Sequence, residues 1–445
     1  MGSCNLKDIW ERVSIGVKLM KIKTKEKSYE QVLNLQEQPH KKPTRQSAAI
    51  RALLKFLAGF DLRAVDFSYD TVGMERIGKD EPCLILMNHS SFIDLEIAAH
   101  LLADREYHIV CTRDGFVGKE ALMRMIGCIS AKKFIYDIQL VRDMAYTLKE
   151  LKASVLMYPE ASYSFDGTQT PLPESLAKCI RMLKVPVVMI RTEGAFLRDP
   201  LYNCLQKRQV NVRARMQYLL SPDEIEQKSV KEIDADLRYA FSYDHFKEQQ
   251  EKQISVNEPF RADGLHRVLY RCPHCEEEGN MSGEGTKITC KKCGQAYELT
   301  EYGYLRAVSG DSRFTHIPDW YRWERECVRR EIEQNTYELD LEVSIYMIVD
   351  TKCVYRVGDG RLRHTSEGFH LTGCDGKLDY MQQPQASYSL YSDFYWYEIG
   401  DMISIGNEKV QYYCFPKNNE NIVAKARLAA EELYKRKKTG KVGSK

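Results

Sequence analysis

The sequence predicts an α/β protein with a mostly parallel sheet flanked by helices, followed by a small cysteine-rich module and a small β-rich C-terminal domain. Between residues 65 and 225, apolar strand-like runs alternate with helix-periodic segments, as in parallel sheets with crossover helices. Two CxxC pairs follow, and short alternating strands with glycine turns dominate from about residue 340. A chain of 445 residues can form two or three such domains, each with its own core.

The first 64 residues are predicted to form a basic arm with an amphipathic helix. Residues 1–60 hold twelve Lys and Arg against five acids, although the net charge of the whole chain is only +2. The segment 48–60 has an apolar face with flanking cations, which suits a helix lying on anionic lipid. The same face suits a helix packed on the protein's own core, and the sequence alone favours this second interpretation.

Targeting features are sparse. No stretch approaches the roughly 20 apolar residues that span a bilayer, and the start lacks the apolar core of a secretory signal. Leu6 stands where a myristoylation pattern needs Ser or Thr. With the basic arm, these observations predict a cytoplasmic protein that is peripheral on the inner face of the membrane. The small net charge gives no reason to expect a nucleic acid partner.

The region 65–225 is predicted to alternate strand and helix along its length. The expected strands are 83–87, 107–111, 155–158 and 187–190, and the expected helices are 94–102, 119–126, 137–152 and 174–184. Residues 226–265 are charged and helix-periodic, so they are predicted to form a helical connector.

Residues 88–94, with the sequence NHSSFID, lie between an apolar strand and a helix. Open α/β sheets place their sites at such junctions. Because His89 and Asp94 are five residues apart, they do not share a helical face, and Asp94 is expected to reach back to His89 in the turn. This pairing orients a neutral imidazole as a general base. An ordinary capping box, with Ser91 as N-cap and Asp94 as its acid, is an open alternative.

Two CxxC pairs separated by fourteen residues contain Cys272, Cys275, Cys290 and Cys293. This spacing brings four thiolates into a tetrahedron, the geometry of a closed structural Zn²⁺ site in a zinc ribbon, predicted here at 266–305. Gly294 is expected to supply the tight turn after the second pair. No open coordination position is implied, so the metal is expected to stabilise the module. Acidic residues surround the pairs, which argues against nucleic acid binding.

Residues 306–445 are predicted to form a β-rich domain with a C-terminal helix. Strands are expected at 343–349, 353–357, 403–405 and 410–414, a turn at Gly358-Asp359-Gly360, and a helix at 422–435. This order resembles a pleckstrin-homology-like or GRAM-like module. An unrelated β module is an equally open interpretation.

With these elements in place, NHSSFID resembles the NHxxxxD motif of the glycerolipid acyltransferase family, typified by lysophosphatidic acid acyltransferase. Three further blocks resemble that family in the same order: GCISAKK at 127–133, YPEASYS at 158–164 and VPVV at 185–188. The resemblance covers about residues 50–220. It implies a glycerolipid acyltransferase-like fold for the predicted domain at 65–225.

The resemblance also implies a reaction. A fatty acyl group would move from acyl-CoA or acyl carrier protein to the hydroxyl of a lysophospholipid or related lipid. His89 would be the general base, and Asp94 would orient it. The implied substrate-binding residues are Asn88, Ser90, Gly127, Lys132, Lys133, Glu160, Ser162 and Tyr163.

Three positions depart from the family pattern. Lys133 stands where the second block has a phosphate-binding arginine, and lysine lacks the bidentate fork of arginine. In the third block, Ala161 replaces glycine and Tyr163 replaces arginine. The loss of a cation argues against lysophosphatidic acid as the acceptor. An alternative function is therefore a catalytically altered acyltransferase fold that binds lipid or acts as a scaffold. For Glu160, the alternative to a site residue is a helix-start acid.

Overall fold

The structure is a computed structural model that describes residues 22–36, 39–132, 137–417 and 421–442. It begins with strand β1 (Thr24–Glu26) and the helices α1 (Tyr29–Leu33) and α2 (Ala48–Arg63). Ser28 and Ser47 cap these helices, since each side chain accepts a backbone N–H from the first helical turn.

The amphipathic segment lies in helix α2, and its packing on the protein's own core is confirmed for one face, while its contact with lipid stays a prediction. Helix α2 buries Ala58 and Leu62 in the core of the domain. On its outer side, Leu53 and Phe56 stay exposed, Phe56 at 63%. One face of α2 therefore packs on the protein, and an apolar strip remains uncovered.

A seven-stranded sheet with the order β2-β8-β7-β3-β6-β4-β5 forms the first large layer. Its strands are β2 (Ser68–Val72), β3 (Leu84–Met87), β4 (Tyr107–Thr112), β5 (Cys128–Ala131), β6 (Ser154–Met157), β7 (Val187–Glu193) and β8 (Arg213–Leu220). Neighbouring strands run parallel, except that β8 is antiparallel to β7. The mostly parallel sheet predicted from the sequence is confirmed.

Helices cover both faces of this sheet. They are α3 (Ile93–Leu101), α4 (Glu120–Met125), α5 (Ile138–Lys149), α6 (Leu176–Leu183) and α7 (Ala195–Arg198). The central strand β3 is buried on both sides: Ile85 and Met87 join one core, and Leu84 and Leu86 join the other. This packing fixes the carboxyl end of β3, from which residues 88–94 continue.

Strands β2, β5 and β8 were not predicted. Strand β2 is an edge strand with mostly exposed residues, and β8 alternates exposed with buried positions. A half-exposed strand carries a weaker apolar signal than the fully buried β3, which explains the omission of β2 and β8.

The segment after the sheet contains three short helices, α8 (Pro222–Gln227), α9 (Val230–Ala240) and α10 (His245–Glu251). Ser221 and Ser229 each form a capping box with the glutamate three residues on. The cysteine-rich module follows as an antiparallel sheet with the order β12-β11-β10-β9. Its strands are β9 (Met281–Glu284), β10 (Lys287–Cys290), β11 (Ala296–Leu299) and β12 (Leu305–Ala307).

The C-terminal region contains helix α11 (Ile317–Glu333), an antiparallel sheet and the final helix α12 (Ile422–Val442). The sheet has the order β16-β15-β14-β13-β19-β18-β17, and β1 pairs with β14 in parallel. Its strands are β13 (Leu339–Ile348), β14 (Val354–Thr365), β15 (Gly368–Gly373), β16 (Leu378–Gln382), β17 (Tyr391–Trp396), β18 (Gly400–Gly406) and β19 (Gln411–Pro416). The predicted β-rich region is confirmed, and its likeness to a pleckstrin-homology-like module stays a prediction.

The predicted Gly358-Asp359-Gly360 turn is wrong. These residues lie inside β14, where Asp359 pairs with Ser344 of β13. A Cβ at Gly360 would lie 2.2 Å from the carbonyl oxygen of Thr372 on β15. The glycine therefore permits close approach of neighbouring strands and does not reverse the chain.

Candidate active site

The candidate active site is built on residues 88–94, which join β3 to α3. Asn88 is fully buried and bonds to the end of the neighbouring strand β7: its Oδ1 accepts from Thr192 N at 2.9 Å. Its Nδ2 donates to Thr192 Oγ1 at 3.0 Å and to Ser90 Oγ at 2.9 Å. Asn88 thus clamps the turn to the sheet from inside the protein.

The structure brings His89 and Asp94 together. His89 Nδ1 lies 3.2 Å from Asp94 Oδ2, and the same oxygen accepts from Ser90 N at 2.8 Å and Ser91 N at 3.0 Å. Asp94 is fully buried, whereas the His89 side chain is 18% exposed. The carboxylate is therefore fixed by the turn's own backbone, and it holds one edge of the imidazole.

The capping-box alternative is only half present. Asp94 accepts from Ser91 N, but the Ser91 hydroxyl donates to Asp199 Oδ1, and its oxygen accepts from Ile93 N at 3.3 Å instead of from Asp94 N. Helix α3 has Phe92 as its N-cap, without a side-chain hydrogen bond. The main partner of the Asp94 carboxylate outside the turn's backbone is His89.

Two tyrosines stack on His89. The ring centroid of Tyr158 lies 4.3 Å and that of Tyr163 4.0 Å from the imidazole, with interplanar angles of 29° and 30°. Both tyrosines belong to the block at 158–164. They leave the edge of the imidazole as the direction from which another group can approach.

Glu160 holds the backbone of the turn through a hydrogen bond. It is 1% exposed, and its Oε2 accepts from His89 N at 3.1 Å. Its Oε1 accepts from Thr170 N and from the Tyr243 hydroxyl, both at 2.8 Å. Burial raises the pKa of Glu160 to about 7, although these hydrogen bonds oppose the shift. The next helix begins only at Leu176, so the helix-start interpretation of Glu160 is wrong.

The remaining residues of the third block, 161–164, form the loop that follows Glu160. Ser162 is buried in this loop, beside Tyr163. Ala161 has a φ of +57°, a left-handed conformation that favours glycine. This conformation explains why the family pattern has glycine at this position.

The second block lies farther from His89. It leads into β5, which is separated from β3 by β6 and β4 and so lies roughly 14 Å away at the usual strand spacing. Gly127 has a φ of +85° in the turn before β5. Lys132 follows β5, and its ammonium group contacts the carbonyl of Glu408. Lys133 lies outside the described residues.

A second histidine, absent from the predictions, contacts the turn. His245 is 1% exposed, and its Nε2 lies 3.1 Å from Ser90 Oγ. Its Nδ1 lies 3.7 Å from Glu248 Oε2, one helical turn on. His245 begins helix α10 inside the predicted connector, and no motif in the sequence marks it.

An acidic residue after β7 was also not predicted. Asp199 accepts the Ser91 hydroxyl and forms an ion pair with Arg198 at 2.6 Å. Burial raises the pKa of Asp199 to about 6, against the opposing effect of Arg198. The turn at 88–94 thus contacts side chains on β7, after β7, after β6 and in α10.

The C-terminal region closes over the third block. Arg427 of α12 donates from Nη1 to the carbonyl of Tyr163 at 3.2 Å. Phe394 of β17 stacks on Phe165, with centroids 4.2 Å apart. The Tyr391 hydroxyl donates to the buried Asp114 at 2.6 Å. The two regions of the chain therefore share one packed boundary beside the site.

The four cysteines of the CxxC pairs converge. Their sulfur atoms all lie within 4.8 Å of one another, and the pairs Cys272–Cys293 and Cys275–Cys290 are each 3.8 Å apart. A tetrahedral Zn²⁺ with bonds of about 2.3 Å sets its sulfurs about 3.8 Å apart, so the cluster fits a metal ion. Gly294 has a φ of +76° at the predicted tight turn.

Comparisons with known proteins define the class of the first large domain. Residues 69–192 match the model of the acyltransferase family, described as Acyltransferase. An acyltransferase-family domain is therefore present in this part of the chain, in agreement with the resemblance of the motifs. No curated protein sequence matches the chain.

Among solved structures, a similar one is the 1-acyl-sn-glycerophosphate (LPA) acyltransferase PlsC from Thermotoga maritima. The likeness has a TM-score of 0.36 at 15% identity, and it covers 43% of this chain and 78% of that protein. The described helices include none with the length and apolar content that crossing a membrane requires.

Proposed function

We propose that this protein is an O-acyltransferase that moves a fatty acyl group from acyl-CoA or acyl carrier protein to the hydroxyl of a lysophospholipid or related lipid. The observation that carries the proposal is the His89–Asp94 pair at the carboxyl end of the central strand. The pair lies inside the segment that matches the acyltransferase family. Its geometry is that of a general base with an orienting carboxylate.

The proposed step needs no protein nucleophile, because a thioester is already activated. Asp94 favours the imidazole tautomer with its proton on Nδ1, which makes Nε2 the basic atom. As the acceptor hydroxyl attacks the thioester carbonyl, its proton passes to Nε2 and the new C–O bond forms. The C–S bond then breaks, and the leaving thiolate takes the proton from His89.

Membrane contact is part of the proposal. Five large apolar side chains are exposed on α2 and at the start of α3: Leu53, Phe56, Leu57, Phe92 and Leu95. The Phe92 ring lies 5.6 Å from that of Tyr163, so the apolar surface reaches the candidate site. Together with the basic arm, it supports a peripheral position on an anionic membrane, on the cytoplasmic face.

The metal of the cysteine cluster is proposed to be a structural Zn²⁺. Four thiolates are a ligand set that zinc prefers, and a four-thiolate site leaves no position for a substrate. When bound, the ion would hold the β9–β10 hairpin to the preceding loop. Glu276, Glu277 and Glu278 beside the cluster oppose a nucleic acid backbone, and we expect no nucleic acid partner.

The test is an acyltransferase assay with radiolabelled acyl-CoA over a panel of lysolipids, comparing the wild type with His89→Ala. Loss of a general base is expected to lower kcat about 10²- to 10⁴-fold. His100→Ala, at the far end of α3, is the matched control and should keep full activity. Equal activity of wild type and His89→Ala would refute the catalytic role.

A second candidate function is lipid binding without turnover. The observation in its favour is Tyr163, which replaces a cation of the family pattern and stacks on the catalytic imidazole. Lysolipid binding by the wild type, with no product from either acyl-CoA or acyl carrier protein donors, would support this function over catalysis.

A further inference from the structure

A cavity of about 370 Å³ lies beside the candidate site, at the boundary between the acyltransferase domain and the C-terminal helices. The loop at 165–171 forms one wall, residues 242–244 form the second, and helices α11 and α12 form the third. Exposed Gln169 and Arg322 lie at its rim. Its volume is in the range of sites for small ligands.

Two buried, oppositely charged side chains face this cavity. Asp166 is 7% exposed and Arg427 is 3% exposed. Within the described part of the chain, Asp166 accepts from hydroxyl and amide donors, namely Thr168 N at 3.1 Å, Thr168 Oγ1 at 2.8 Å and Ser164 Oγ at 3.4 Å. Arg427 donates to Ser392 Oγ at 3.0 Å, Ser392 O at 2.9 Å and Tyr163 O at 3.2 Å.

Neither side chain has an opposite charge within 4 Å among the described residues. The other charged groups that line the cavity do have such partners. Arg325 pairs with Glu431 at 2.7 Å, Asp244 with His316 at 3.2 Å and Arg322 with Asp319 at 2.8 Å. The cavity therefore presents one cation and one anion that lack an ion-pair partner.

Such charges are costly to keep in the protein interior, because burial removes their hydration and no opposite charge is in direct contact with either group. The Arg427 guanidinium lies 3.6 Å from the centroid of the Phe165 ring, a cation–π contact that offsets only part of this cost. Burial raises the pKa of Asp166 and lowers the pKa of Arg427, so each charged form is disfavoured. A ligand that carries both charges would offset the two penalties at once. A ligand with one charge would relieve only one of them and would be repelled by the other group.

We propose that this cavity binds a small zwitterion, with the anionic group on Arg427 and the ammonium group on Asp166. A phosphodiester joined to an ammonium group has this chemistry, either as the head of a lysophospholipid or as a free small molecule. The cavity adjoins the catalytic turn through Glu160: Thr170 and Tyr243 line the cavity and donate to Oε1, while His89 N donates to Oε2. That the zwitterion belongs to the acyl acceptor rests on the proposed function.

The test is isothermal titration calorimetry of the full chain with sn-glycero-3-phosphocholine, glycerol 3-phosphate and choline. The zwitterion is expected to bind about tenfold more tightly than glycerol 3-phosphate, which is only anionic, or choline, which is only cationic. In Asp166→Asn, glycerophosphocholine should lose about tenfold in affinity, whereas glycerol 3-phosphate should bind equally or more tightly because a repulsive charge is gone. Asp143→Asn, a buried acid on α5 away from the cavity, is the control.

Equal binding of the three probes to the wild type, or no binding of glycerophosphocholine, would overturn the proposal. An equal loss of affinity for glycerophosphocholine and glycerol 3-phosphate in Asp166→Asn would also overturn it, since that result means a collapsed cavity. If Asp166→Asn does not fold, the wild-type ranking of the three probes decides the question alone.

The lipid source is tested separately with lysophosphatidylcholine micelles and His89→Ala. Binding of the soluble zwitterion without acylation of any lysolipid leaves the cavity proposal standing and removes the proposed function. If the wild type acylates lysophosphatidylcholine and Asp166→Asn has an unchanged KM for it, the proposed function is supported. The cavity is then not the site that binds the headgroup of the acceptor.

Discussion

The turn at 88–94 and the cysteine cluster are both short segments with a clear sequence motif, and they differ in where their supporting contacts originate. The four cysteines lie within residues 272–293, two in the loop before the β9–β10 hairpin and two at and just after its end. The turn at 88–94 is supported by Glu160, Thr192, Asp199 and His245, which are 71 to 155 residues from their partners. The cluster is thus a local structure, and the turn depends on the whole domain.

Removal of the metal should have the largest effect, a loss of stability. This loss should be confined to the cysteine-rich module and the regions that pack on it. Structural Zn²⁺ contributes about 10 kcal/mol to small domains, so chelation should unfold the cysteine-rich module. Cys272 and Cys290 share a core with the C-terminal sheet, while the seven-stranded sheet has two cores of its own. Calorimetry should therefore show a lowered transition for the C-terminal half and a retained one for the sheet.

One zinc per chain in elemental analysis, lost in Cys290→Ser and kept in Cys179→Ser, completes this test. Cys179 lies on α6 and outside the cluster. A purified protein without metal, or an equal loss of both transitions on chelation, would contradict the local character of the cluster.

Asp94→Asn should have the next largest effect, on catalysis. The asparagine keeps the shape and can still accept from the turn's backbone, but it no longer stabilises the imidazolium or fixes its tautomer. We expect kcat to fall about 10²- to 10³-fold while KM changes little, in steady-state kinetics with the best acceptor of the panel. Asp104→Asn, exposed just after α3, should behave as wild type. A large rise in KM with normal kcat would instead make Asp94 a binding residue.

Glu160 allows a test of how strongly the turn depends on distant support. Its pKa is raised to about 7 in the folded protein, so the folded state holds the proton more tightly than the unfolded state. Its contribution to stability is therefore fully present below pH 4.5 and is lost as pH rises through 7, by about 3 kcal/mol. The unfolding free energy of the wild type minus that of Glu160→Gln, measured by urea denaturation, should therefore decrease as the pH rises over this range. A difference that is independent of pH would contradict the shifted pKa.

The same contrast explains what could be predicted from sequence. The parallel sheet, the His89–Asp94 contact and the convergence of the four cysteines each follow from a periodicity or a spacing over a few residues. His245, Asp199 and Arg427 belong to no motif, and their contacts with the site depend on packing between distant segments. The error at Gly358-Asp359-Gly360 has the same origin, because the backbone that requires glycine at Gly360 belongs to another strand, β15.

The smallest predicted effect concerns backbone strain beside the site. Ala161 and Lys152 both have a left-handed φ, +57° and +54°, which costs an alanine or lysine about 1–2 kcal/mol relative to glycine. Glycine also makes the unfolded chain more flexible, so the net gain from Ala161→Gly or Lys152→Gly should be about 1 kcal/mol or less. Urea denaturation of both variants should show this gain, with kcat unchanged in Lys152→Gly. Destabilisation by Ala161→Gly alone would mean that the Ala161 methyl group packs in the loop that holds Glu160 and Tyr163. This loop would then be fixed by packing contacts and not by its local conformation, as are the other contacts of the turn at 88–94.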